Sequence, residues 1–447
     1  MSKETPKKHS GPGEMVQDRI NRMLAAQDDS SDPSPNSSSP ASGEEKMKVV
    51  IVGNGLAGTM AAKTLRELDS GVGIEIFAEE SQHYYPRPNL IEFLAGNLSR
   101  ERVFAFPENW TVRQKIGLHL GTPVRKILPE SGEVVVEGGT RERYDALLLA
   151  DGSTSFVPPI KGAEKKGVFT LKTLDDALTI LDFLAAHHGV AVLGGGLLGL
   201  EVARALRTRG AAVEVVEVFD RLLPRQLDPE GASLLRRQIE QTGIKLRLGM
   251  MTEEITGGEE VGGLRFKNGD PTSCDMVIIA AGVRPNTALA KEVGLGTDRG
   301  VLVDDLLRTS RAGIFAAGDN TQHRGRVYGI IPASFEQARA AAYNMLGQEK
   351  PYEGTTPFNT LKVAGIYVTS IGIVNPEAGA TEELRIARPE AGIYKKVVLQ
   401  NGRLAGAIWM GTKKGATEIS RAVGRNVPAE AWKHALLEDD FDFAVLG

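Results

Sequence analysis

Cysteine is almost missing: Cys274 is alone among 447 residues. One thiol cannot close an internal disulfide, build a CxxC redox pair or complete a cysteine-ligated zinc site. Long apolar runs are missing too, and nothing approaches the ~18 residues that a spanning helix needs. The formal charge of -4 excludes the basic excess of a general nucleic-acid binder. The start of the chain has no apolar signal core, and its acids speak against a transit peptide, so the expected compartment is the cytoplasm. The seven histidines include no metal-spaced pair, and there is no HExxH, Gly-x-Ser-x-Gly elbow or Walker phosphate loop. No metal site is expected.

Glycine, by contrast, is abundant, with 51 residues that cluster rather than recur every third position. That pattern excludes collagen and predicts several tight turns. Hydrophobic residues at 41% and charged ones at 25% are close to the globular norm, and the length suits about three domains. Residues 1–46 differ from the rest. Between Ser30 and Ser42, ten of thirteen positions are serine or proline, which reads as a linker that cannot bury a core. Before it, Val16, Ile20, Met23 and Leu24 form one stripe of a short amphipathic helix over Glu14–Gln27. That helix either rests on its own globular body or serves as a docking peptide for a partner subunit.

From Met47 onward an α/β pattern takes over. Lys48–Val52 is a β-branched run ended by glycine, as a buried parallel strand requires. A helix near Thr59–Leu68 and a strand at Ile74–Phe77 follow, and the order returns as Val190–Leu193, Leu200–Arg209 and Val213–Val216. Two βαβ units in one chain predict two Rossmann-like, doubly wound dinucleotide-binding domains. Gly53-Asn54-Gly55-Leu56-Ala57-Gly58 links the first strand to its helix. Here Gly53 permits the turn, Gly55 admits a pyrophosphate to the backbone, and Gly58 allows close helix–strand packing. Glu79 and Glu80 end the second strand, where an acid accepts hydrogen bonds from ribose hydroxyls. The second copy is Gly194-Gly195-Gly196-Leu197-Leu198-Gly199, followed by Glu217. An acid at Glu217 suits a free ribose 2′-hydroxyl, which favours NADH over NADPH, while Arg221 leaves the second open. The simplest assignment is one flavin site and one nicotinamide site. Further glycine-ended strands carry Ala150 and Gly152 in LADGS, Gly282 in AAGVRPN, and Gly318 and Asp319 in IFAAGD. Beyond Pro351 the alternating segments Thr360–Ile373 and Tyr394–Ile408 suggest a smaller α+β domain.

The motifs GNGLAG at 53–58, YYPRPNL at 84–90, GGGLLGLEVA at 194–203, AAGVRPN at 280–286 and IFAAGD at 314–319 resemble one family. It is that of the FAD-dependent pyridine nucleotide oxidoreductases of the two-Rossmann type. Within it the chain most resembles NADH:rubredoxin reductases and the flavin portion of assimilatory NADH nitrite reductases. The resemblance implies an FAD domain in two parts (47–165 and 287–350), an inserted NADH domain (166–286), and a C-terminal α+β domain (351–447) serving as a dimer or partner interface. It also implies that Arg87, with Pro88, approaches the FAD diphosphate, that Asp319 holds the ribityl chain, and that Val124 contacts adenine. Hydride then passes from NADH to FAD, and electrons pass on to an external acceptor.

Two departures matter. Relatives that use a flavin-side cysteine have it where Gln82–Leu94 contains none, and Cys274 precedes the strand Met276–Ala281. A structural role is expected for it, and no thiol relay. Related ferredoxin reductases pair a lysine near the flavin with a glutamate matching Glu201, but the lysine position is Glu92. Glu201 is therefore either a group at the nicotinamide–flavin contact or a first-turn helix acid that complements the dipole. Finally, eight Lys/Arg and only two acids lie between Lys395 and Lys433, ahead of the acidic Glu438, Asp439, Asp440 and Asp442. A basic surface there would steer a small acidic electron carrier such as rubredoxin. Two alternatives stand beside that function. One is an electron-input subunit of a larger redox complex, and the other is an NADH-responsive flavoprotein that signals to a partner.

Overall fold

A computed structural model describes residues 46–355, 358–363, 365–377, 379 and 381–446. The helix expected over Glu14–Gln27 and the Ser/Pro linker lie outside them. The chain divides into two compact units. The first holds residues up to Phe93, Asn97–Thr154 and Arg284–Thr355, and the second holds Leu94–Gly96, Ser155–Val283 and Thr356–Gly447.

The first unit is built on a five-stranded parallel sheet. In spatial order its strands are Gly117–His119, Gly73–Phe77, Lys48–Val52, Ala146–Leu149 and Ile314–Ala316. This is the 3-2-1-4-5 order of a doubly wound fold, whose ligands sit beyond the carboxyl ends of the strands where the order reverses. The central strands are apolar at successive residues because both faces are covered: Val49, Val50 and Ile51 are all 0% exposed. Helices cover the Val49 and Ile51 face, whereas the Val50 and Val52 face is covered largely by Val124, Ile127, Val134 and Val136 of a small antiparallel sheet. Helix Leu56–Leu68 packs against helix Ile331–Met345 over Met60, Ala61, Leu65, Ala338 and Ala341. An antiparallel three-stranded sheet, Val124–Leu128, Glu133–Val136 and Arg141–Arg143, completes this unit.

The second unit repeats the plan with Lys245–Leu248, Ala212–Glu217, Gly189–Leu193, Met276–Ile279 and Val168–Phe169, again parallel. It also contains a five-stranded antiparallel sheet in the order Phe358–Val363, Ile366–Gly372, Arg403–Met410, Ile393–Gln400 and Glu382–Arg388. Side chains alternate between the faces of strand Ile393–Gln400. Val397 and Leu399 pack with Trp409 against helix Ala416–Gly424 and the segment through Phe443 and Leu446. Tyr394 and Lys396 point the other way, onto helix Pro229–Gln241 and its cap Asp228.

This arrangement corrects the expected basic surface. Lys395 and Lys396 are each only 3% exposed. The Lys395 ammonium lies 2.9 Å from both the Leu437 carbonyl and Asp439, and Lys396 bonds Asp228 and Glu383. Lys433 pairs with Glu382 and Glu430. The cations that stay exposed are Arg403, Lys413, Lys414, Arg421 and Arg425, so the patch is narrower than the sequence count implied.

Candidate functional site

Two glycine loops share one geometry. In the first, Gly53 has φ 107, and a Cβ there would collide with the Ala150 carbonyl oxygen. In the second, Gly194 has φ 125, and its Cβ would lie 2.5 Å from the Ala280 carbonyl oxygen. Only glycine takes such a φ without strain. The middle residues, Gly55 and Gly196, are the N-caps of helices Leu56–Leu68 and Leu197–Thr208, with φ of -80 and -79. Neither offers a capping side chain, and a Cβ on either would meet nothing within 4 Å. Free amides therefore face open space at each helix start, as a diphosphate requires. At Gly58 and Gly199 a Cβ would run into the carbonyl oxygens of Gly53 and Gly194. Leu56, Ala57, Leu197 and Leu198 form the opening turns, with Leu198 38% exposed. In the first loop the buried amide nitrogen Nδ2 of Asn54 has no hydrogen-bond partner. An unsatisfied donor beside an open phosphate cradle fits an anionic ligand.

The other sites cluster by unit. Beyond the carboxyl ends of the first sheet, the Ala150 amide donates to the Val52 carbonyl, and the Gly152 carbonyl accepts from the Asn286 amide. Ser153 donates its hydroxyl to Asp319 at 3.1 Å, and the Gly318 amide donates to Gln337 at 2.8 Å. Val124 opens its strand and is 7% exposed. Glu80 and Arg87 meet as an ion pair, and the Tyr85 hydroxyl donates to the same Glu80 carboxylate. Two residues singled out separately thus form one knot, with Pro88 directly after it; Glu79 stays exposed.

Asp151 carried no expectation. It stands between Ala150 and Gly152 and accepts from Asn320 Nδ2 at 2.7 Å. Burial pushes its carboxyl up to about 6, helped by the Glu79 charge and opposed by the Asn320 hydrogen bond. Its signal in the sequence was an acid inside the glycine-ended strand LADGS, whose environment only the fold supplies.

In the second unit Glu217 is 7% exposed and braces its loop, accepting from the Gly195 amide at 2.6 Å and the Phe219 amide at 2.9 Å. Gly282 has φ 103, and its carbonyl accepts from the Phe156 amide. Glu201 lies one turn into its helix and pairs with Arg204 at 2.9 Å. Cys274 is buried, and burial, with the neighbouring Asp275 charge, pushes its thiol up to about 12. Among the described residues no group of acids, histidines or cysteine is arranged to hold a metal ion, and no helix is long and apolar enough to cross a membrane.

Residues 47–343 match the family model of the pyridine nucleotide-disulphide oxidoreductases. The chain belongs to that family. The oxidoreductase's residues 357–427 match a second model, the rubredoxin NAD+ reductase C-terminal domain. It is 37% identical over 368 residues to a nitrite reductase [NAD(P)H] of Bacillus subtilis, covering 82% of this chain and 46% of that protein. It is 32% identical over 313 residues to a rubredoxin-NAD(+) reductase of Pseudomonas putida, covering 68% of this chain and 81% of that one. The structure of an NADH:rubredoxin oxidoreductase from Clostridium acetobutylicum superposes with a TM-score of 0.73 at 26% identity, over 86% of this chain and 96% of that one. The oxidoreductase spans about half the length of the nitrite reductase it matches. The family's cofactors are FAD and NADH, and two glycine cradles in one chain accord with that pair.

Proposed function

We propose that this chain takes reducing equivalents from NADH through FAD to an external acceptor, a small iron–sulfur protein of the rubredoxin kind. The observation that carries the reading is the pair of glycine loops with matching backbone geometry, one in each unit. FAD is assigned to the first loop, where Gly53, Gly55, Leu56, Ala57 and Gly58 hold the diphosphate with Arg87 and Pro88 beside it. Glu79, Glu80, Val124, Ala150 and Gly152 bound its adenosine half, and Gly318 and Asp319 its ribityl chain. NADH is assigned to Gly194, Gly196, Leu197, Leu198, Gly199, Glu217 and Gly282. The FAD domain spans 47–165 and 287–350, the NADH domain 166–286, and the C-terminal domain 351–447.

When bound, FAD couples a two-electron hydride donor to a one-electron acceptor. The chain's own residues bind, orient and set local charge. Glu201, paired with Arg204, is assigned an orienting role near the nicotinamide. Cys274, buried and held as a thiol, takes no part, so electron flow needs no protein sulfur. Homodimerisation through the C-terminal domain and a cytoplasmic setting complete the proposal. The 46% coverage of the Bacillus nitrite reductase favours a second reading, an electron-input subunit of a larger redox complex.

Purification tests the proposal. A yellow protein whose flavin is bleached faster by NADH than by NADPH under anaerobic conditions, and which then reduces rubredoxin, is the expected result. A colourless folded preparation that FAD cannot reconstitute refutes it.

A further inference from the structure

The loop after Glu217 is held from an unexpected direction. Leu223 has φ 48 although it is leucine and 0% exposed. A non-glycine residue in the left-handed region persists only where its surroundings impose it. On one side this residue's neighbourhood meets the glycine loop. The Leu223 amide donates to the Gly195 carbonyl at 3.4 Å, and Leu222 packs so closely that a Cβ on Gly195 would come within 2.8 Å of it. On the other side stands the antiparallel sheet. Asn375 Nδ2 donates to the Pro224 and Leu227 carbonyls, each at 3.3 Å. Asp228 ends the loop and caps helix Pro229–Gln241 through the Gly231 amide. Its other oxygen accepts from the Tyr394 hydroxyl at 2.6 Å and the Lys396 ammonium at 3.1 Å. Asp228, Tyr394 and Lys396 are 4%, 0% and 3% exposed. Removing Lys396 leaves the buried Asp228 carboxylate without a counter-charge, whereas Lys396 also reaches Glu383 at 2.8 Å.

We infer that Lys396 and Tyr394 are positioning residues for nicotinamide dinucleotide binding, holding the 218–228 loop, and through Leu222 and Leu223 the second glycine loop, in its binding shape. This rests on the assignment of NADH to that loop. The C-terminal sheet then contributes to coenzyme affinity without touching the coenzyme.

The test titrates NAD+ calorimetrically onto the purified flavoprotein, with flavin content measured in parallel. K396M is expected to weaken NAD+ binding about tenfold, the scale of a coupling change transmitted through packed contacts, and to leave flavin content unchanged. D228N/K396M removes the buried carboxylate together with the ammonium, leaving only the partly exposed Glu383 without its lysine. It is expected to recover most of that loss, a recovery that general loosening of the domain would not produce. Y394F, which removes only a hydroxyl, is expected to weaken binding about threefold, and it carries the test if K396M fails to fold. NAD+ affinity within twofold of wild type in a folded K396M, or in Y394F where K396M does not fold, overturns the inference. G194A separates the two levels. If G194A abolishes binding and the lysine variant does not change it, only the brace falls. A wild-type protein that binds no NAD+ overturns both.

Discussion

Alanine at Gly53 or at Gly194 adds the same methyl group to two loops of matching shape, and the consequences should diverge. At Gly53 the new Cβ meets the Ala150 carbonyl oxygen with the backbone at φ 107; at Gly194 it meets the Ala280 carbonyl oxygen with φ at 125. Holding a non-glycine residue there costs about 1–3 kcal/mol. Overpacking against a fixed carbonyl adds a further ~1–3 kcal/mol. The middle of that combined range, about 4 kcal/mol, expressed as distortion of the loop, corresponds to on the order of 1,000-fold in ligand affinity. G53A should therefore emerge with its flavin largely lost after dialysis while still binding NAD+. G194A should stay yellow and lose NAD+ binding. The checks are flavin absorbance relative to protein, an FAD reconstitution titration, and NAD+ calorimetry on both variants. Swapped losses, or both cofactors retained at wild-type affinity, would refute the assignment of one loop to each coenzyme.

The buried thiol predicts that C274S keeps flavin and NADH-dependent reduction of ferricyanide within twofold, at a stability cost of about 1 kcal/mol seen in urea unfolding. A collapse of turnover would restore a sulfur relay. Asp151 predicts a pH effect of definite sign. Between 3.8 and about 6 the folded carboxyl holds a proton that the unfolded one has released. Stability from this group is thus present at low pH and lost as pH rises through that window, by about 3 kcal/mol at most. D151N should remove that slope from the urea midpoint measured across the window, and an unchanged slope would place it elsewhere. Charge reversal at the exposed Lys413 and Lys414 should slow reduction of an acidic iron–sulfur carrier about tenfold at low salt and flatten the salt dependence, with ferricyanide reduction unaffected. An unchanged carrier rate would exclude that patch as the docking face.

Sequence patterning carried furthest where the physics is local. Val49–Val52 was legible as a strand because a parallel strand covered on both faces must be apolar throughout. Ile74–Phe77 and Val213–Val216, interrupted by Glu75 and Glu214, were legible from their β-rich composition and their place after a glycine loop and helix. The helix start was misread by a few residues, Thr59 for Leu56, because Gly55 opens it without a polar side chain to mark the cap. Thr360–Ile373 read as one alternating segment is a hairpin of Phe358–Val363 and Ile366–Gly372, and Tyr394–Ile408 likewise spans two strands. Lys395 and Lys396, counted as surface charge, lie on opposite faces of a strand that is covered on both.

What the chain determined by itself is the pair of glycine loops, since strand, glycine turn and helix start fall within a few consecutive residues and their backbone demands are written in residue type. What the tertiary structure alone decided are the partnerships across long stretches of chain. Asp228 meets Lys396 across 168 positions and Ser153 meets Asp319 across 166. Whether a carboxylate stays charged, or a lysine faces water, depends on the neighbours that folding delivers, and residue type alone does not encode that environment.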